Sequence, residues 1–340
     1  METILLLTHA DAGKPALEAL AAAKELGGTL IVGLFGADVQ PTVDEMAGCG
    51  AAKFLGVAGA DFAQARYVSD AAAAEALVKA AHATIVIVPA TSRMNRIVAG
   101  VAHRCGGRAD THVTGITATG PAPSGASITR WYYRQRMEAA QSRAHRPWFI
   151  ALDPGCHVPD ASAPGTATVE SVAVTLPDLR TAVTGVKAPE ASQQTIRPDA
   201  KVLLVAGAGW TKKQPDGQAH VPEAAELILG FLYTAKASLG SSKSLVDLSG
   251  EGQAVLPFMS HLNQIGQTGA TPRHLKGLST CCHGEEPHAV GWRFITERRA
   301  INLDPNCGWA RGKADVLYVA DAFAVCARLI PCWRRSRKDW

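Results

Sequence analysis

The chain has 340 residues, 47% of them apolar and 19% charged, a globular composition with material for two domains. Its formal net charge of +4 is too small to argue for nucleic acid, and much of it lies in Arg334, Arg335, Arg337 and Lys338, read as a solvated basic tail over 331–340. The eight cysteines (Cys49, Cys105, Cys156, Cys281, Cys282, Cys307, Cys326 and Cys332) include no C-x-x-C pair, which predicts free thiols in a reducing, cytoplasm-like compartment.

The opening Met-Glu-Thr-Ile-Leu-Leu-Leu lacks a basic stretch and reads as a first strand, not a signal peptide. No apolar run is long enough for a bilayer span. Residues 4–8 form a short apolar run, expected of a strand buried on both faces. A helix is predicted over 14–24, stopped by Gly27-Gly28, then a strand over 29–34 and a helix start at 43–46. Strands follow at 53–57 and 83–89, with an Ala-rich helix over 69–81 between them. The spacing then predicts a helix over 97–105 and a β-branched strand over 111–119. This alternation means an α/β fold with a largely parallel sheet.

The pattern changes at 127–152. Strands at 128–133 and 148–151 flank a segment carrying Arg130, Arg134, Arg136, Arg143 and Arg146. The cluster reads as an anion or partner surface or, more simply, as an exposed hairpin with a solvated face, which is the favoured reading. An alternating strand follows within 162–176. The Pro, Ser, Ala and Gln-containing passage 184–194 is the best linker, so the expected domains are 1–190 and 191–330.

After the linker the α/β rhythm restarts. A buried strand is predicted over 201–206, a long helix over 221–239 and a short strand over 244–247. Further strands are expected at 274–279, 299–302 and 314–319, with a closing helix over 321–329. The whole is expected to be α/β, with two doubly wound, mainly parallel-sheet domains.

Chemistry concentrates in the second half. Gln264-Ile265-Gly266-Gln267-Thr268-Gly269 packs two amides, a hydroxyl and two glycines into six residues. It reads as an ordinary polar turn or as a loop whose backbone approaches a polar ligand; neutral donors and acceptors suit a heteroaromatic ring or phosphate ester better than a metal. Gly207-Ala208-Gly209 follows a strand, where α/β sheets bind ligands, but the third glycine of the dinucleotide fingerprint is missing. No G-x-S-x-G occurs, so serine–histidine catalysis is unsupported. His283 and His288 flank two glutamates, but Gly284 and Pro287 oppose a helix presenting them as ligands, and no metal site is expected.

Taken in order, Gln264-Ile265-Gly266-Gln267-Thr268-Gly269, then Ala300-Ile301-Asn302-Leu303-Asp304-Pro305, then Ala314-Asp315 and Val319-Ala320-Asp321 resemble the FAD-binding half of the electron transfer flavoprotein alpha subunit, the FixB-type family. The resemblance covers about 197–329 at motif level. It implies FAD as cofactor, with AMP in a separate beta subunit, and a cytoplasmic bacterial heterodimer. It implies an electron carrier, not a stand-alone enzyme, between flavin-dependent dehydrogenases and a membrane quinone oxidoreductase.

Site residues carry over by position. Ile265, Gly266, Gln267 and Thr268 match the loop along the flavin, and Ser242 a serine at the flavin end or pyrophosphate. Ser279 matches the serine opening the next binding loop, and His288 the histidine facing the flavin C2 carbonyl. Asn302 and Asp321 match contacts at the ribose and adenine end. The chain also departs from the pattern: Gly209 stands where the family has an arginine, Lys243 replaces the arginine after the serine, and Ala270 replaces a lysine. These lost cations motivate an alternative, a divergent relative with weakened FAD binding that acts as a nucleotide-binding or structural partner.

Overall fold

A computed structural model describes residues 2–120, 125–132, 137–185, 196–197, 200–247, 255–266, 271–280, 295–307, 310–311 and 314–336, the side chains of 247 and 334–336 excepted. The chain divides into two compact units, one of Met1–Tyr133 with Met137–Lys187, the other of Arg134–Arg136 with Ala188–Trp340.

The first unit is built on a nine-stranded sheet. Its strands are β1 (Thr3–His9), β2 (Thr29–Gly36), β3 (Lys53–Ala58), β4 (Ile85–Pro89), β5 (Arg108–Ala118), β6 (Ala126–Tyr132), β7 (Met137–Gln141), β8 (Trp148–Leu152) and β9 (Val169–Ser171). Their spatial order is β7-β6-β5-β8-β4-β1-β2-β3-β9. All pairings from β9 to β5 are parallel, and β6 and β7 add an antiparallel extension. The helices are α1 (Lys14–Glu25), α2 (Gln40–Glu45), α3 (Tyr67–Ala81) and α4 (Ser92–Arg104).

The continuous apolar runs follow from burial on both faces. Along β1, Ile4 and Leu6 join one core cluster with Ala16, Ala19 and Leu20 of α1. Leu5 and Leu7 join the opposite cluster with Ala74 and Leu77 of α3 and Ile97 and Val101 of α4. Each such fully buried Leu or Ile stabilises the fold by roughly 1.5–3 kcal/mol. Gly13 precedes α1 at φ +55°, a left-handed conformation that suits glycine, and Pro15 follows inside the first turn.

The arginine-rich segment is an antiparallel hairpin in part, and its arginines are not simply solvated. Arg130 and Arg143 both reach the carboxylate of Asp110, whose side chain is 1% exposed, and Arg146 pairs with Glu2. Trp148 Nε1 donates to the same Asp110 at 2.8 Å. Arg134 and Arg136 lie outside the described residues. The strand expected within 162–176 shortens to β9; beyond it Val172, Val174 and Leu176 pack as side chains against the core.

The second unit has five parallel strands, β10 (Val202–Ala206), β11 (Ser238–Ser241), β12 (His274–Thr280), β13 (Ile295–Asn302) and β14 (Val316–Val319). Their order is β11-β10-β12-β13-β14, the 2-1-3-4-5 arrangement of a doubly wound sheet. Its helices are α5 (Val221–Ala235), α6 (Lys243–Asp247) and α7 (Ala322–Ser336). Leu204 and Ala206 of β10 pack with Ile228 and Phe231 of α5 and Phe323 and Cys326 of α7. Leu203 and Val205 face the other way, toward Ile265 and Ile295.

Three expectations change here. The helix predicted over 221–239 ends at Ala235, because Lys236 turns left-handed at φ 50° and the chain reverses into β11. The strand predicted over 244–247 is helix α6, whose first turn is capped by Ser242: its hydroxyl accepts the Leu245 N–H at 3.4 Å. Residues read as a basic tail continue α7 to Ser336, with the Trp333 ring 5.4 Å from that of Phe231. Among the described residues, no helix is long and apolar enough to cross a membrane.

Candidate functional site

In the 2-1-3-4-5 sheet the strand order reverses between β10 and β12, and ligands of such sheets sit outside the carboxyl ends of the strands near that point. The structure places most of the described candidate residues along this edge.

Gly207-Ala208-Gly209 leaves β10 and enters a 3-10 turn over Ala208–Thr211. α5 begins only at Val221, so this glycine turn does not deliver a ligand onto a helix N-terminus as a dinucleotide fingerprint does. The turn is instead held by side chains. Gln214 Nε2 donates to the carbonyls of Gly209 at 3.0 Å and Lys212 at 2.8 Å. Trp210 is fully buried, with its ring 4.6 Å from that of Phe323.

A solvent-open cleft lies beside this turn, and Gly209, Gln214, Asn302, Leu303, Ala320 and Asp321 contribute to its wall. It brings together three residues distant in sequence. Asn302 ends β13 and is 5% exposed; its Oδ1 accepts the Asp304 N–H at 2.9 Å, which turns the chain away from the strand. Asp321 caps α7, its Oδ1 accepting the Phe323 N–H at 2.9 Å. Gln214 is a wall residue that sequence reasoning missed, since a lone amide eight residues past a strand carries no pattern.

A second group gathers at the end of β11. Ser242 is 3% exposed and its N–H donates to the Ala206 carbonyl at 2.9 Å. The Ile265 N–H donates to the Ser241 carbonyl at 3.1 Å, which fastens the loop at 264–266 to the strand end. Gly266 adopts φ +75° and donates its N–H to Thr271 Oγ1 at 2.7 Å. Lys243 is exposed in α6, and Ser279 is buried inside β12 next to its last residue. Gln267, Thr268 and His288, with Ala270, Cys281, Cys282 and His283, lie outside the described residues. Among the described residues, no group of three or more His, Cys, Asp or Glu side chains could hold a metal ion.

The two groups share the carboxyl edge of the sheet: Ser242 is bonded to Ala206 at the end of β10, three residues before Gly209 of the cleft, and the cleft runs on to the ends of β13 and β14. An extended ligand lying across the edge would reach both. The donors fit a sugar-bearing ligand at the cleft. Asp321 Oδ2 has no partner among the described residues and is available to accept from hydroxyls. At the other end Ser241 Oγ, fully buried, has no partner among the described residues. Among the described residues, no arginine or lysine lines the cleft.

Comparison with known proteins adds one match. A family model described as the electron transfer flavoprotein domain matches residues 5–177, just over half of the chain. The match falls on the first sheet and does not extend to the motifs from 264 onward. No curated protein is similar enough to count as a match.

Proposed function

Because the chain belongs to the electron transfer flavoprotein domain family, we propose that it is the FixB-type alpha subunit of a heterodimeric electron transfer flavoprotein. In this reading a separate beta subunit, with AMP, completes the heterodimer. Residues along the carboxyl edge of the second sheet would hold FAD, which would supply one-electron chemistry there. The protein carries electrons from flavin-dependent dehydrogenases to a membrane quinone oxidoreductase and catalyses no bond chemistry of its own.

The observation that carries this reading is the meeting of Gly209, Asn302 and Asp321 in one cleft, beside the strand-order reversal. Asp321 and Asn302 would hold the ribose and adenine end. Ser242, Ile265 and Gly266 would hold the pyrophosphate and flavin end, with Gln267, Thr268, Ser279 and His288 completing it and Lys243 following Ser242 in the chain.

The test is to purify the chain with and without a beta-type partner and record visible spectra. A yellow complex that retains flavin through gel filtration supports the proposal. A colourless complex that ignores added FAD would sink it.

A second reading, a relative with weakened FAD binding that serves as a structural or nucleotide-binding partner, is favoured by the absence of arginine and lysine among the described residues of the cleft wall. A complex that forms but holds flavin only at high free concentration would support it.

A further inference from the structure

The second sheet is parallel throughout, so all its strands start at one edge, opposite the carboxyl edge that carries the cleft. Three neighbouring strands carry a lysine at their starts. Lys236 stands two residues before β11, Lys201 directly before β10, and Lys276 on β12 is in register with Val202, the first residue of β10. The order β11-β10-β12 sets the three lysines side by side across two strand spacings, about 10 Å. All three are exposed, and none forms an ion pair among the described residues.

Positive charge continues beyond them. Arg197 Nη2 donates to the Lys236 and Ala237 carbonyls at 3.4 and 3.3 Å, which holds a guanidinium at the same edge. α5 ends at Ala235, next to Lys236, and the end of α7 packs alongside it through the Phe231 and Trp333 rings, 5.4 Å apart. The last turn of α7 holds Arg334 and Arg335, and Arg337 and Lys338 follow in the sequence. The described acids of this edge are committed elsewhere. Asp315 pairs with Arg298 at 3.5 Å, and Glu297, in register with Lys276, pairs with Arg299 at 4.0 Å.

Exposed apolar side chains are interleaved with these cations: Tyr233 is 82% exposed, Leu275 56% and Trp333 37%. Tyrosine and tryptophan among lysine and arginine match a membrane interface, where the rings lie at headgroup level and the cations meet acidic lipid. Long lysine stems can also lie along an apolar layer while their ammonium groups stay hydrated. A polynucleotide fits less well, because the formal net charge of the chain is only +4.

We propose that the amino edge of the second unit docks on an anionic bilayer surface. The attachment is peripheral, held by acidic headgroups spread in a plane against Lys201, Lys236 and Lys276, with Tyr233 entering the headgroup layer. The carboxyl edge then faces away from the lipid and keeps its cleft open. This goes beyond the flavin reading and needs no flavin, since every residue it uses lies at the opposite edge.

The test is co-sedimentation of the full chain with vesicles of phosphatidylcholine containing about one-third phosphatidylserine, against pure phosphatidylcholine, at about 0.1 M and about 0.5 M salt. Binding is expected with the anionic vesicles at low salt and should be lost at high salt. Combining Lys201→Gln, Lys236→Asn and Lys276→Gln should weaken it about tenfold or more; asparagine suits the left-handed backbone at 236. Tyr233→Ser should weaken it while leaving the salt dependence in place. Lys14→Gln, Lys53→Gln and Lys79→Gln, combined on the first unit, should leave it unchanged. If the triple lysine variant does not fold, lipid composition, salt and Tyr233→Ser still decide. Equal binding to neutral vesicles, no binding at millimolar anionic lipid, or an equal loss in the first-unit variant overturns the proposal. Tighter binding to a short DNA duplex than to the anionic vesicles at the same salt would overturn it in favour of nucleic acid.

Discussion

Trp210 Nε1 donates to Thr280 Oγ1 at 2.8 Å, both groups fully buried, and so ties the turn after β10 to the last residue of β12. This bond spans the strand-order reversal of the second sheet. It fixes the backbone of Gly209, the adjacent cleft residue, without any charge. Thr280→Val keeps the side-chain shape but leaves the indole N–H buried without an acceptor. The expected cost is about 1–3 kcal/mol, read as a lower urea midpoint at unchanged slope. Flavin retention should fall with it, because the cleft wall loses its anchor.

Gly240 in β11 makes room for the loop at 264–266. A Cβ there would stand 2.7 Å from Ile265 Cγ2 and 3.3 Å from Leu203 Cδ1. Ile265 is 1% exposed and has little space to retreat. Gly240→Ala should destabilise the fold by about 1–3 kcal/mol and displace Ile265 and Gly266. The check is a denaturation midpoint together with the FAD dissociation constant. A variant with normal flavin affinity and normal stability would show that the loop does not depend on this contact.

Asp321 caps α7 and is also proposed to hold the ligand, and conservative substitution separates the two. Asp321→Ala removes the cap on α7 and should cost about 1 kcal/mol. Asp321→Asn keeps an oxygen for the Phe323 N–H and should hold stability within about 0.5 kcal/mol of wild type. It also replaces the uncommitted Oδ2 acceptor by a donor, so FAD should bind more weakly in Asn as well as in Ala. Equal flavin affinity in wild type and Asp321→Asn would remove this carboxylate from the proposed site.

Asp110 gives the first unit an acid-sensitive joint. Burial alone would raise its pKa, but hydrogen bonds from Arg143 and Trp148 and the charges of Arg143 and Arg130 outweigh it and hold the carboxyl below its ordinary value. A depressed folded pKa contributes stability that is complete above the unfolded value, near 3.9, and is lost as pH falls through the folded one. Denaturation midpoints should therefore drop below about pH 4, and Asp110→Asn should flatten that drop. Asp110→Ala leaves the buried Trp148 N–H without an acceptor and the partly exposed Arg130 and Arg143 without their shared partner, and should cost about 1–3 kcal/mol at neutral pH.

Much of the architecture is readable residue by residue. Apolar runs such as Ile4-Leu5-Leu6-Leu7 and Val202-Leu203-Leu204-Val205-Ala206 are buried on both faces and declare parallel strands without help from elsewhere. The short helices were less legible. Ser244-Leu245-Val246-Asp247 has strand-like composition, yet the Ser242 cap and its place beyond β11 make it helix. The end of α5 was hidden for a similar reason: apolar spacing continues past Ala235, and only the left-handed turn at Lys236 stops it. The arginines of the hairpin looked like solvated charge because their shared partner, Asp110, is remote in sequence.

The loop Gln264-Ile265-Gly266 and the pieces ending at Asn302 and Asp321 announce polar chemistry in their local composition, and that much needs no fold. What they do together is a tertiary matter. Tertiary packing sets the Gly209 turn beside Asn302 and Asp321, and strand order brings Ser242 and Ile265 to the end of β11 on the same edge. It also sets His9 against Thr91, 82 residues away, with one ring nitrogen satisfied and the other without a partner among the described residues. No local pattern encodes such meetings, because sequence spacing governs neighbours on one strand or helix, while sheet order governs which strand ends meet.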